Sequence, residues 1–125
     1  GVLKESLENF LRAKIQFQKA YILWKKNSVG EAIVFLEQAL EEKEVYPSSY
    51  NLLASCYEVE GKNLKKALKL VGKALEQRPM NPYYLDTRGS IFLKLGKKDE
   101  AKKDFERARD LLPDDESIKQ HLGQL

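Results

Sequence analysis

The sequence predicts an all-α protein built from repeated pairs of antiparallel helices. Three rows of small residues recur at steps of 34 or 35 residues. These rows are Ala20, Ala54 and Gly89; Ala32, Ala67 and Ala101; and Ala39, Ala74 and Ala108. The apolar residues around them follow the i, i+4, i+7, i+8 spacing of one helical face, and no segment alternates as a strand does. Each repeat is therefore expected to contribute two helices that finish their core against the next repeat.

Length and composition agree with a small folded domain. The chain has 125 residues, of which 42% are hydrophobic and 33% are charged. This balance excludes a disordered tail and a collagen-like chain. No apolar run reaches the roughly 20 residues that span a bilayer, so we expect no direct membrane insertion. The net charge of +3 is too small to indicate a nucleic-acid partner by itself.

Residues typical of helix N-termini set the expected helix starts. Pro47 and Pro82 fit the first turn of a helix, where the missing N–H is not needed. Asn81 precedes the second of these prolines as an expected N-cap. Ser28, with Glu31 three residues later, matches a capping box.

Glycines and prolines set the expected helix ends. Gly61 and Gly96 are expected to end helices in the left-handed region, and Pro79 and Pro113 prevent continuation of the helices before them. The predicted helices span residues 11–26, 29–43, 47–60, 64–77, 82–95 and 98–111, and a short helix begins at about residue 115.

The combination of these positions resembles the tetratricopeptide repeat (TPR) family, whose units of about 34 residues form a helix-turn-helix. The unit from Pro82 matches best, through Gly89, Phe92, Gly96, Ala101, Phe105, Ala108 and Pro113. The middle unit matches through Ala54, Tyr57, Gly61, Ala67, Ala74 and Pro79, with Val71 in place of an aromatic. The first unit keeps Ala20, Leu23, Ala32, Leu36 and Ala39, but has Asn27 at the turn and Glu44 where proline is usual. The resemblance implies a right-handed superhelical array of antiparallel helix pairs, an α-solenoid.

The resemblance divides the chain into repeats at residues 13–46, 47–81 and 82–115. Residues 1–12 are then an N-terminal helical extension or the end of a preceding repeat. Residues 116–125 are a capping helix or the start of a fourth repeat. Because the first residue is glycine and the only methionine is Met80, we expect the sequence to be part of a longer protein.

A second, narrower resemblance is to the last repeats of bacterial cell-envelope TPR proteins. It is carried by three short segments, Leu85-Asp86, Pro113-Asp114-Asp115 and His121-Leu122-Gly123. This resemblance is consistent with two locations for the protein, the bacterial cytoplasm and the periplasmic side of the envelope.

The residue types that catalysis needs are too few in this sequence. His121 is the only histidine and lies near the end of the chain, so we expect no metal cluster and no Ser-His-Asp triad around it. The single cysteine, Cys56, has no histidine to activate it and is expected to be a small buried apolar group. The glycines are isolated, so no phosphate-binding loop is expected. We therefore expect a protein that is not an enzyme and has no cofactor or metal.

The TPR resemblance implies that the first helices of the repeats line a concave groove that binds a protein or peptide. The groove residues that it implies are Lys14, Phe17, Tyr21, Trp24, Asn51, Ser55, Glu58, Tyr83, Asp86, Ser90, Leu93 and Lys94. Phe17, Tyr21 and Trp24 recur at i, i+4, i+7 and share one helical face, and aromatic residues are favoured binding anchors. The alternative for these three is packing against a preceding repeat or against the second helix of their own unit.

One known TPR binding mode is not expected here. Chaperone-binding members hold a C-terminal carboxylate with lysine, asparagine and arginine. The corresponding residues of this chain are Phe17, Tyr21, Leu52, Tyr83 and Thr87, and none of them can take that part. The expected function is a protein-interaction module for a peptide segment or helix. The alternative is self-assembly as the scaffold of a larger protein.

Lysines are concentrated on the second helix of the middle unit. Lys65, Lys69 and Lys73 form an i, i+4, i+8 stripe on a helix that the resemblance turns outward. No aromatic residue is interleaved with them, unlike at single-stranded nucleic-acid sites. We expect this stripe to be a solvated face, so no nucleic-acid partner is predicted.

Overall fold

The computed structural model describes residues 1–125 as seven α-helices with no strand. The helices are α1 (Val2–Lys25), α2 (Val29–Ala39), α3 (Pro47–Glu60), α4 (Leu64–Gln77), α5 (Pro82–Lys94), α6 (Lys98–Leu111) and α7 (Glu116–Gly123). The first six form three pairs, each pair packs on the next, and α7 packs on α6. The predicted all-α helical repeat is confirmed.

Small residues allow the helices to approach one another closely. All nine alanines and glycines of the three periodic rows are buried. The tightest example joins α5 to α6, where a Cβ atom on Gly89 would lie 2.5 Å from Cε1 of the Phe105 ring. Phe105 itself is fully buried, and its ring occupies the space where a side chain on residue 89 would lie.

Most predicted helix boundaries are confirmed. Pro47 and Pro82 are the first residues of α3 and α5. The Oδ1 atom of Asn81 accepts hydrogen bonds from the backbone N–H groups of the next helix at 2.9 and 3.1 Å. Gly61 and Gly96 follow α3 and α5 with φ values of +68° and +79°.

Two boundary predictions are wrong. The first helix begins at Val2 rather than residue 11, because residues 2–12 contain no glycine or proline to interrupt it. The second helix ends at Ala39 rather than residue 43. Three glutamates, Glu41, Glu42 and Glu44, would otherwise lie at or beside its negative C-terminal end, where acidic side chains are unfavourable.

The capping box predicted at Ser28 is also wrong. Ser28 is the N-cap of α2, but its side chain makes no capping hydrogen bond. Its ψ is 62°, whereas the two caps that do bond, Asn81 and Asp115, have ψ values of 115° and 118°. The extended backbone of those two residues aims the side-chain oxygen at the first free N–H groups of the helix.

The buried core runs along the array, and 18 of its residues form one contiguous cluster. Its largest fully buried side chains are Leu36, Leu53, Tyr57, Val71, Leu85, Ile91, Phe105 and Ile118. Ile118 belongs to α7, so this short helix covers the end of the third pair. No helix combines the length and apolar character that a membrane span requires.

Candidate binding groove

The first helices of the three pairs lie side by side, because α3 contacts both α1 and α5. A cleft of about 490 Å³ lies along them. Its lining residues are Phe17, Tyr21, Trp24, Ser48, Asn51, Leu52, Ser55, Asn81, Tyr83, Tyr84, Asp86 and Thr87. Seven of the twelve groove residues predicted from the sequence therefore lie at one cleft.

The other five predicted groove residues lie outside this cleft. Lys14 is an exposed residue of α1, and Ser90 and Leu93 are half-buried on α5. Lys94 and Glu58 pair with each other, with Nζ 3.6 Å from Oε1. The same ammonium donates to the backbone carbonyl of Glu58, so this pair joins the end of α5 to α3.

The aromatic stripe of α1 lies partly in the core and partly in the cleft. Phe17 and Trp24 are half-buried and pack against the core cluster while they line the cleft. Tyr21 is 43% exposed, and its ring centroid lies 6.0 Å from that of Phe17. The Phe17 ring also lies 5.4 Å from Tyr46, centroid to centroid. Tyr21 is thus the ring of the stripe with the most surface free for a partner.

Hydroxyl groups hold α3 and α5 together beside the cleft. Ser48 Oγ and Tyr84 Oη share a hydrogen bond of 2.6 Å, and Ser55 Oγ lies 3.4 Å from Thr87 Oγ1. The Oδ1 atom of Asn51, between these two contacts on α3, is buried and has no hydrogen-bond partner. An unpaired buried carbonyl oxygen costs about 1–3 kcal/mol, so a donor that reached it would be stabilising.

An acidic group closes the C-terminal end of the cleft. His121 on α7 donates from Nδ1 to Oδ1 of Asp86 at 2.7 Å. This hydrogen bond raises the pKa of His121, burial opposes the rise, and the charges of Asp86, Glu58 and Asp115 add to it. The imidazolium is therefore favoured, and it ties α7 to the helix that carries Asp86.

Groups outside the cleft offer little for chemistry. Cys56 is fully buried, and burial raises the pKa of its thiol to about 12, so the reactive thiolate is not formed at neutral pH. No group of three or more His, Cys, Asp or Glu side chains is placed to hold a metal ion. The lysine stripe of Lys65, Lys69 and Lys73 is exposed on α4 and does not line the cleft.

Comparison with protein families gives two matches to one repeat family. The tetratricopeptide repeat matches at residues 13–46 and again at residues 82–115, which together make up more than half of the chain. The chain belongs to the tetratricopeptide repeat family. TPR domains are a non-catalytic protein-interaction fold. No curated protein matches the sequence.

Several solved TPR structures are similar to this chain. The first TPR of Spaghetti (RPAP3), bound to the HSP90 peptide SRMEEVD, has a TM-score of 0.78 and 24% identity, covering 90% of this chain and 88% of that one. The Arabidopsis OM64 TPR domain has a TM-score of 0.80 and 21% identity, with coverages of 93% and 95%. PcrH, in complex with the chaperone binding region of PopB, has a TM-score of 0.71 and 14% identity, with both coverages 90%. At these identities the likeness shows the shared TPR fold.

The five positions that correspond to the chaperone-binding clamp all line the cleft of this TPR protein. They are Phe17, Tyr21, Leu52, Tyr83 and Thr87. No lysine or arginine is among the lining residues. The cleft therefore offers aromatic, aliphatic and hydroxyl surface at the five positions where the family resemblance would place a carboxylate clamp.

Sequence reasoning missed some lining residues and one contact. The repeat register could have identified Ser48 as a lining residue. Pro47 corresponds to Pro82, so Ser48 corresponds to Tyr83, which is one of the predicted groove residues. The contact of His121 with Asp86 had no such signal. It depends on how α7 packs against the third pair, which the repeat pattern of the sequence does not specify.

Proposed function

We propose that this TPR protein binds a peptide segment or a helix of a partner protein in the groove along α1, α3 and α5, and that it catalyses no reaction. The observation that carries the proposal is the cleft with five aromatic rings among its twelve lining residues. Tyr21 is 43% exposed and Tyr83 is 58% exposed. Aromatic rings give large buried area for little lost side-chain entropy, so exposed rings in a concave site are favoured binding anchors.

Relatives of the same fold support a peptide as the partner. The RPAP3 TPR is bound to an HSP90 peptide, and PcrH is in complex with a region of PopB. The cleft of this chain lacks basic lining residues, so we propose a partner other than an acidic chaperone tail. Apolar and aromatic side chains of the partner would fill the cleft, because half of its lining residues are hydrophobic.

Selection from a library of displayed peptides tests this proposal. Peptides selected on the wild-type protein should lose about 2 kcal/mol or more of binding energy with Tyr83→Ala, which removes a cleft ring. Phe10→Ala is the matched control, because Phe10 is also an exposed aromatic residue but does not line the cleft. A peptide site in the cleft would be contradicted if Tyr83→Ala left the affinity of the selected peptides unchanged. It would also be contradicted if the selection yielded no binding peptides.

A second candidate function, self-assembly, is favoured by the outer edge of α1. Ile15 and Ile22 are 49% and 52% exposed. In the repeat register they correspond to Ser49 and Cys56 of α3, which are buried beneath neighbouring helices. The edge of α1 therefore has the surface that another repeat helix would cover, such as one from a second copy of the chain.

The oligomeric state separates the two candidates. Light scattering over a concentration series should give 14.4 kDa throughout if the protein acts as a monomeric peptide-binding module. A mass that rises with concentration, and returns to the monomer value with Ile15→Lys, would favour self-assembly through the edge of α1. Lys14→Gln, beside it on the same helix, is the control that should change neither result.

A further inference from the structure

We propose that the cleft accepts a cationic side chain of the partner, the guanidinium of arginine or the ammonium of lysine. This inference rests on the proposed peptide-binding function and specifies the chemistry of the bound residue. Of the twelve residues that line the cleft, Asp86 is the only one with a formal charge at neutral pH. The site therefore combines one carboxylate with a lining rich in aromatic rings.

The aromatic rings of the cleft can bind a cation through cation–π contacts. A cation within about 6 Å of the centroid of an aromatic ring is attracted by the negative face of that ring. Tyr21 already makes such a contact, because the Nζ atom of Lys25 lies 5.4 Å from its ring centroid. The rings of Phe17, Trp24 and Tyr83 line the same cleft, and no cation of this chain is paired with any of them.

The carboxylate of Asp86 keeps one oxygen free. Its Oδ1 atom accepts the hydrogen bond from His121, whereas Oδ2 has no hydrogen-bond partner within the chain. His121 does not line the cleft. A partner cation can therefore pair with Asp86 from the cleft while α7 remains docked through His121 on the other oxygen.

Charges around this end of the cleft favour a cation over an anion. Asp86, Glu58 and Asp115 act together on His121, and each raises its pKa. Lys94 is paired with Glu58, and Asp86 is the charged residue of the cleft lining. A carboxylate that lines a cleft attracts cations and repels anions.

The cleft carboxylate also offers a free acceptor to a side chain that only donates. Asp86 Oδ2 has no hydrogen-bond partner within the chain. A guanidinium carries five N–H donors and no acceptor, so one of its N–H groups can bond this oxygen. A carboxylate in the same place would face Asp86 with no basic lining residue to offset the repulsion.

Three peptide pools of equal length test the inference directly. Each pool carries one fixed residue, arginine, leucine or glutamate, and its other positions are randomised over neutral residues. We expect the arginine pool to bind about tenfold tighter than either other pool, because cation–π and carboxylate contacts together favour it. Binding is measured by calorimetry on the full chain at low salt and again at 0.15 M salt.

Two variants separate contact with the cation from support of the fold. Asp86→Asn should abolish the preference for arginine, because it removes the cleft carboxylate. His121→Gln removes the charged partner of Asp86 but leaves the carboxylate, so the preference should persist. If His121→Gln abolishes the preference as well, Asp86 acts only by holding α7, and direct contact with the cation is overturned.

The outcomes also separate this inference from the function on which it rests. If the leucine or glutamate pool binds as tightly as the arginine pool, the cation assignment is wrong and the peptide-binding groove stands. If no pool binds to the wild-type protein, the groove proposal fails and the cation assignment fails with it. A preference for arginine that survives Asp86→Asn would show that the cation does not pair with Asp86 and would overturn the inference.

Discussion

The first and third helix pairs follow the same repeat pattern but are held together in different ways. In the third pair the Phe105 ring fills the space left by Gly89, and Arg88 makes two hydrogen bonds of 2.8 Å to the buried Asp104. In the first pair the counterparts of Arg88 and Asp104 are Lys19 and Phe35, which cannot form an ion pair.

The two pairs also differ in how completely their neighbours cover them. The third pair is covered by α4 on one side and by α7 on the other, whereas α1 has an open edge with Ile15 and Ile22 exposed. In a repeat protein the stability of a unit depends on its contacts with neighbouring units. The comparison indicates that the aromatic stripe of the groove lies on the pair with the weakest support, and that the third pair anchors the fold.

Removal of the Phe105 ring should have the largest effect on the stability of the protein. Phe105→Ala should lower the free energy of unfolding by about 3–5 kcal/mol, because it empties a fully buried site. Urea denaturation measures this loss, and Phe92→Ala, at a half-buried ring in the same pair, is the control. Equal losses for the two variants would show that the contact of Phe105 with Gly89 does not anchor the third pair.

Two glycine substitutions should change the stability of the protein in opposite directions. Gly89→Ala should destabilise the protein by about 1–3 kcal/mol, because the new Cβ would collide with the Phe105 ring. Gly72→Ala, within α4, should stabilise it by up to about 1 kcal/mol, because its Cβ would meet nothing within 4 Å and alanine favours helix. Thermal unfolding of both variants measures the difference, and a shift of the same sign would contradict the packing described for α5 and α6.

The two N-caps provide a finer test of the same contrast. Asn81→Ala should cost about 1 kcal/mol, because Asn81 bonds two backbone N–H groups at the start of α5. Ser28→Ala should cost much less, because the Ser28 side chain makes no capping bond at the start of α2. Chemical denaturation of both variants checks this, and a larger loss for Ser28→Ala would show that its hydroxyl caps α2 in solution.

The smallest expected effect is a pH dependence at the end of the third pair. The hydrogen bond to Asp86 raises the pKa of His121 above its ordinary value of 6.5. A group whose pKa is raised on folding stabilises the folded state fully below its unfolded pKa, and this contribution is lost as the pH rises through the folded pKa. The stability of wild-type protein should therefore fall as the pH rises above about 6.5, and His121→Gln should remove this dependence. An unchanged pH profile in that variant would show that other groups are responsible.

The sequence alone predicted the parts of the fold that depend on local rules. Asn81, Pro82 and Gly96 set their boundaries through backbone geometry, and the periodic alanines set the helix pairing through size. The start of α1 was not predictable in this way, because no residue between 2 and 12 signals either a break or a continuation across the repeat boundary.

The candidate site was predictable only as far as the repeat register extends. The register placed Phe17, Asn51 and Asp86 on the first helices of their repeats, and all three line the cleft. The register gives no information on the ends of an array, so the contact between Asp86 and His121 required the structure. Whether a lining aromatic also packs into the core, as Trp24 does, depends on the angle between helices rather than on spacing.

Emission of Trp24 tests the central claim, that the cleft along α1, α3 and α5 is the binding site. Trp24 is the only tryptophan, it is half-buried, and it lines the cleft. Addition of a selected peptide should shift its emission to shorter wavelength and reduce quenching by acrylamide, because the occupant excludes water from the ring. Tyr83→Ala should weaken this response, and Phe10→Ala should not. A peptide that binds by calorimetry yet leaves the emission and quenching of Trp24 unchanged would place the binding site elsewhere and contradict the account.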